Sequence, residues 1–451
     1  MGTPQAFHVH RLLPRGKVIL ERLFPGYIDD LPSVGGYPIL KKTARMVKKW
    51  GVFQSFQPEK DVSCSRALLE QTIRQRVQIL PGVRILEGQE VLGLRISTDN
   101  AAITGITLRP RGEIDQHATI TAELVIDASG RTSKLTQWLQ AFGYELPENE
   151  QVISSIGYST RFYKASKQII EDVGTIVVDE MQEEGKMGVG ILPIENDRVW
   201  VTLFGIGGHF PSTDVHGFEQ ELANLHLVQA EIADALKQAQ PLTTPRGYRV
   251  PICERHRYDR VERWPAGLLV MGDAFCHFDP IYGQGMTVAA VEAETLEGAL
   301  LEQQRNPQPD FERRTLQRMQ EAAITSAWWL SALNDLRGSG VEYKGEEGPQ
   351  GVQLLHCYLD LYFKYALEHP VAPASALKTC QPTVAKLALM NGLLVPPKEV
   401  FNASTLTLLL EEETSTDDSR RLHELVDAYN LSPEAIMEQV LPAFMRITVA
   451  R

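Results

Sequence analysis

This chain has little to tie it to a membrane, a metal or a nucleic acid. No apolar run approaches the roughly 18–20 residues of a membrane-spanning helix. The longest, GLLVM at 267–271 and ELVIDAS at 123–129, are strand-sized. The opening MGTPQAFHVHRLLPRG lacks the apolar stretch of a secretory leader. Cysteines are five, at 64, 253, 276, 357 and 380. They show no C-x-x-C spacing and no companion histidine cluster, so neither a disulfide framework nor a metal centre is expected, and they read as reduced thiols of a cytoplasmic protein. Basic excess is also missing. The net charge of -12 makes nucleic acid a poor partner. What remains is 451 residues with 43% apolar content, enough for two or three globular domains.

The pattern along the chain divides at about residues 150, 262 and 305. A helix is expected from Arg15 to Phe24, with Val18, Ile19, Arg22 and Leu23 at helical spacing and Pro25-Gly26 closing it. The basic, aromatic stretch ILKKTARMVKKWGVFQSFQ that follows reads as a solvated face. SCSRALLEQTIRQRVQIL is a second helix, capped by Ser65, with Leu68, Leu69, Ile73 and Val77 along one side. Three strand-like segments then lead to Asp127. Residues 151–262 change texture: alternation and β-branched residues predict an antiparallel sheet inserted into an α/β domain, which resumes over 263–305. The tail, 306–451, is helical, and its apolar faces could pack on the body, pair with a second subunit or touch a membrane surface.

Two short stretches carry chemistry. In ELVIDASGRTSKL a strand ends at Asp127, turns through Gly130 and reaches a helix capped by Ser133. In GDAFCHFDPIYGQGMT a buried strand ends at Gly272 and Asp273, bends at Pro280, and enters a long helix through Gly283, Gln284 and Gly285. Val288, Val291, Leu296 and Leu300 are expected to turn inward. Ligands of α/β sheets sit at such strand ends, and a helix N-terminus offers free N–H groups. The plain alternative is a structural strand–loop–helix unit.

The second stretch resembles the Gly-Asp motif of the flavoprotein hydroxylases of the aromatic-hydroxylase type. The resemblance implies an α/β, Rossmann-like FAD-binding domain with an inserted substrate-binding sheet and a helical extension. It implies that Asp273 holds a ribityl hydroxyl of FAD, with Pro280, Tyr282, Gly283, Gln284, Gly285 and Met286 beside the flavin ring. LVIDASGRTSKL is similar to the family's second flavin motif, with Asp127 and Gly130 at marked positions, and Arg66 opens a helix that lies near the cofactor diphosphate. Asp335 and Arg337 sit where one branch of the family has a comparable pair. One departure stands out: no G-x-G-x-x-G loop between a strand and a helix occurs. The resemblance therefore implies either that this unit lies upstream of Met1, the favoured reading, or that the chain is a remnant.

The activity implied is FAD-dependent oxygenation of an apolar or aromatic small molecule, with NAD(P)H as electron donor. Reduction of prenyl-type double bonds and a non-catalytic remnant remain open, and the halogenases' Trp-x-Trp-x-Ile-Pro signature is missing. Arg161, Tyr163, Trp200, Thr202, Phe204, Phe278 and Tyr282 are candidates to shape the substrate pocket. His8 and His10 read as a frayed terminal pair. A homo-oligomer is compatible with the tail.

Overall fold

The computed structural model describes residues 5–39, 44–48, 50–54, 61–179, 187–225, 230–346, 348–379, 381–412 and 417–440. Cys380 lies outside them, and Cys64, Cys253, Cys276 and Cys357 are free thiols.

Helix α1 (Pro14–Leu23) starts with proline, whose fixed φ and missing N–H suit a first turn. The lysine-rich segment then forms β1 (Ala44–Lys48) and β2 (Gly51–Gln54). Helix α2 (Arg66–Gln78) is capped by the Ser65 hydroxyl, which accepts from the Leu68 N–H at 3.2 Å. Strands β3 (Gln89–Ile96), β4 (Ile103–Pro110) and β5 (Ala118–Thr121) make an antiparallel sheet of three. Strand β6 (Val125–Asp127) precedes α3 (Leu135–Ala141).

The inserted region supplies β7 (Ile156–Lys164), β8 (Thr175–Asp179), β9 (Gly188–Ile194), β10 (Arg198–Gly205), β11 (Gln240–Pro241) and β12 (Arg246–Val250). They form one eight-stranded sheet ordered β11–β7–β10–β9–β8–β1–β2, with β12 also paired to β7. The pairs are antiparallel except β8 with β1. The sheet thus recruits two strands from the segment expected to be a solvated face. The lysines hid an alternation. Val47 is buried in the core of the sheet's outer side, whereas Met46 and Lys48 point to the opposite face, where the Lys48 ammonium meets Asp179 of β8 at 3.1 Å.

Strand β13 (Leu268–Val270) returns to the α/β core and pairs in parallel with β6. All three of its residues are fully buried, as expected of a strand covered on both faces. The chain then enters α4 (Gly285–Arg305), which α1 follows closely, with Arg22 to Glu297 at 2.7 Å. Val288 and Val291 are buried, but Leu300 is 43% exposed, so the inward expectation fails for it. Helix α5 (Phe311–Met319), a π-helical turn (Gln320–Ile324) and α6 (Thr325–Asp335) form one continuous run. The wide turn lies where Arg255 bonds Gln320 and Thr325. Buried Glu150 bridges Arg255 and Arg257 (3.0 and 2.8 Å); removing it would leave buried Arg255 without a carboxylate, at a cost of about 3–5 kcal/mol, while Arg257 keeps Asp259 at 3.0 Å. Helices α7 (Val352–Glu368) and α8 (Val384–Asn391), with Ala403–Glu411, Asp417–Tyr429 and Pro433–Val440, complete the chain. Their apolar faces join the core cluster that contains β13 and α4, so packing on the body is their role here. Among the described residues no helix is long and apolar enough to cross a membrane.

Candidate active site

Strand β13 delivers the Gly272-Asp273 turn to the end of the parallel pair. Gly272 has φ +62° and Gly130, at the end of neighbouring β6, has φ +83°; at both, the space a Cβ would fill is open. These left-handed backbones are cheap only for glycine. The Asp273 carboxylate has no hydrogen-bond partner among the described residues, although Arg66, Arg131 and His277 bear on it. Burial raises its pKa against those three. The Arg66 Nε is buried without a hydrogen bond, 3.7 Å from Glu70. An open glycine edge, an unengaged aspartate and an under-used arginine suit a ligand with hydroxyls and negative charge.

Asp127 is differently placed. Its carboxylate takes the Ser129 N–H at 2.9 Å and the Ser133 hydroxyl, which closes the turn and leaves Gly130 as the surface. Ser133 in turn accepts from the Leu135 N–H at 3.0 Å, at the start of α3.

The loop after Asp273 reaches a cavity of about 250 Å³. Its wall has four sources. The N-terminal segment gives Val9, Arg11 and Leu13; the loop gives Pro280, Tyr282, Gly283 and Gln284; the sheet gives Tyr158, Thr202 and Phe204; the tail gives Leu330, Leu333, Asn334 and Phe363. Gly283 turns at φ +66°, and a Cβ there would come within 3.2 Å of the Arg11 carbonyl. Met286 lies instead beside a smaller recess with His10, Arg11 and Arg66. Gly285 lines neither; a Cβ on it would sit 3.6 Å from Asp273 Oδ1.

Strand face and position along the strand together decide which pocket candidates reach the cavity. Thr202 and Phe204 do, two apart on β10; Trp200 shares their face but lies one step further along, outside the cavity and against Phe162. Arg161 and Tyr163 point to the other face of β7, where both bond Glu219. Phe278 is buried against Trp328. His8 and His10 are not frayed. His8 is buried beside Tyr158, its Nδ1 2.8 Å from Thr160 Oγ1, and Thr160 reaches Thr202 at 2.8 Å. Burial lowers both histidines to about 4, so both are neutral at physiological pH. Arg337 pairs with Asp360 at 3.0 Å.

Sequence reasoning missed Tyr158, Asp279 and Glu292. Glu292, fully buried on α4, accepts the Gly272 N–H at 2.6 Å and so pins the Asp273 turn to the helix. The aspartate directly before Pro280 was the one signal available for Asp279.

The chain belongs to the FAD binding domain family, which it matches over residues 37–309. It is 29% identical over 353 residues to Protein Rv3254 of Mycobacterium tuberculosis (strain ATCC 25618 / H37Rv), covering 74% of this chain and 71% of that protein. Its fold is shared with solved flavoproteins. Flavin-dependent brominase Bmp2 superposes with a TM-score of 0.58 at 13% identity, over 94% of this chain and 90% of Bmp2. PqsL of Pseudomonas aeruginosa, in complex with 2-aminobenzoylacetate, gives 0.55 at 16% identity, over 75% and 89%. The p-nitrophenol 4-monooxygenase PnpA of Pseudomonas putida DLL-E4 gives 0.53 at 13% identity, over 74% and 79%. The fold is therefore the α/β FAD-binding one with an inserted sheet and helical tail, and FAD is the cofactor.

Proposed function

We propose that the protein is an FAD-dependent monooxygenase of an apolar or aromatic small molecule, with a reduced nicotinamide as electron donor. One observation carries this reading: the loop that runs from the unengaged Asp273 to α4 also forms a wall of the cavity, so cofactor and substrate would meet across Pro280–Gln284. Asp273 would accept from a ribityl hydroxyl. Gly130 and Arg66 would face the diphosphate side, and Pro280, Gly283, Gln284, Gly285 and Met286 the ring. The outer edge of β6, where Ile126 is 40% exposed, is where a further parallel strand of a glycine-rich unit would pair.

When bound and reduced, FAD would supply two electrons to dioxygen, one of whose atoms goes to the substrate and the other to water; the chain supplies position, dryness and hydrogen bonds. Leu330, Leu333, Phe204 and Phe363 exclude water from the cavity. Thr202, Thr160 and His8 form a chain of hydrogen-bonding groups from the wall to an imidazole that burial keeps neutral. Lys48 in the wall is engaged by Asp179. PnpA, a p-nitrophenol monooxygenase, and PqsL, with its bound aminobenzoyl compound, support an aromatic substrate.

The test is isotopic. The protein is incubated with FAD, NADH or NADPH, a panel of phenols and aromatic amines, and labelled dioxygen. The expected result is a product carrying one labelled oxygen atom, formed in step with nicotinamide oxidation. A hydrogenated, unlabelled product formed under argon would replace this reading with that of a reductase.

A further inference from the structure

Two carboxyls that the reading above leaves unused stand behind the cavity wall. Asp279 precedes Pro280 in the loop and Asp335 ends α6; both are fully buried. They lie close enough that each acts on the other's ionisation. Each also receives a hydroxyl from a cavity-lining tyrosine. Tyr158 donates to Asp279 Oδ1 at 3.2 Å, and Tyr282 donates to Asp335 Oδ1 at 2.9 Å. The Ile281 N–H adds a 2.7 Å bond to Asp279. Asp279 Oδ2 and Asp335 Oδ2 are buried with no hydrogen-bond partner. Burial and the neighbouring carboxylate push Asp335 far above the usual range, and burial raises Asp279 to about 6. Buried carboxyls that act on each other resist ionising together, so the pair favours one negative charge over two.

This fixes the polarity of the wall. A tyrosine that donates to a carboxylate has only lone pairs left for a ligand. Gln284 Oε1 is a buried acceptor without a partner. Asn334 gives one of its two Nδ2 hydrogens to the Leu330 carbonyl at 2.8 Å, and its Oδ1 adds a further acceptor. The cations nearby are engaged elsewhere: Lys48 by Asp179 at 3.1 Å, Arg337 by Asp360 at 3.0 Å, and Arg11 faces Asp61. Cys253, buried beside the pair, stays a thiol.

We propose that the Asp279–Asp335 pair is a specificity element: by holding Tyr158 and Tyr282 as acceptors, it makes the cavity take a neutral ligand bearing an O–H or N–H donor and reject an anion. This rests on the cavity being the substrate site.

Three probes of similar shape test it: 4-nitroaniline, 4-nitrophenol and 4-nitrobenzoate, titrated into the FAD-loaded protein and followed by difference absorbance. Nitroaniline is expected to bind about tenfold or more tightly than nitrobenzoate, because the anion meets acceptors and a negative charge. Nitrophenol is expected to bind as the neutral phenol, so that its phenolate band bleaches and its affinity falls as pH rises through its own pKa. Asp335→Asn mimics the protonated acid and should keep the discrimination. Adding Asp279→Asn removes the charge and gives the tyrosines amide donors, which frees their hydroxyl hydrogens for the ligand; the discrimination should shrink. Four results would overturn the proposal: nitrobenzoate binding as tightly as nitroaniline, nitrophenolate as the bound form, no binding of any probe, or discrimination unchanged in the double variant. Discrimination that holds while no labelled oxygen enters any product would sink the oxygenase reading and leave this one standing.

Discussion

Asp273→Ala should raise the dissociation constant for FAD about tenfold or more. The carboxylate sits at the C-terminal end of β13 with no partner of its own among the described residues, so its hydrogen-bonding capacity is available to a ligand. A hydrogen bond to a charged group contributes about 1.5–3 kcal/mol, and about 1.4 kcal/mol is a factor of ten in affinity. The Asp273→Asn variant should fall between the two, since the amide oxygen still accepts but without charge. Fluorescence titration of the flavin-free protein measures all three. Circular dichroism must show an unchanged fold, which is expected because no protein hydrogen bond is lost. Equal constants for wild type and Asp273→Ala would remove Asp273 from the cofactor site.

Glu292→Gln should stabilise the protein, and increasingly so as pH rises. Burial, opposed by the Gly272 N–H, lifts the Glu292 carboxyl from 4.5 to about 8. Between those values the folded chain holds a proton that the unfolded chain releases, so stability falls as pH climbs from 4.5 towards 8 and levels off above it. The loss is on the order of 3 kcal/mol at neutral pH. Glutamine keeps an oxygen for the Gly272 N–H and has nothing to ionise. Urea denaturation at pH 4.5 and pH 8 is the check. The two proteins should differ little at the lower pH, and the variant should unfold at a clearly higher midpoint at the upper. A variant less stable than wild type at pH 8 would mean that Glu292 works as a carboxylate.

How much of this was legible in the sequence depends on how far apart the partners lie. The Gly272–Met286 block could be read because a strand end, a proline bend and a glycine-opened helix are local events, each with its own residue signature. The same holds for Ser65 as a cap and for Gly130 in its turn. The β1–β2 hairpin is obscured because Arg45 and Lys48 interrupt the apolar alternation and lysines flank it, and the Asp179 carboxylate and the Phe363 ring make Lys48 a tolerable wall residue. The acid pair was invisible for another reason. Tyr158 and Asp279 are 121 residues apart, and Tyr282 and Asp335 are 53 apart, so nothing in either segment announces the other. His8, read as frayed, is fixed by Thr160, 152 residues away. Leu300 erred in the opposite direction: its helical spacing continues past the point where the core ends.

The central claim is that this chain holds FAD at the end of the β6–β13 pair, with the ring towards the cavity. The visible spectrum of the protein during titration with FAD tests it most directly. The account predicts a saturable shift of the flavin bands at one equivalent, with flavin that stays with the protein through gel filtration and a further spectral change when 4-nitrophenol enters the cavity. A free-flavin spectrum at every concentration, with all flavin eluting apart from the protein, would contradict it.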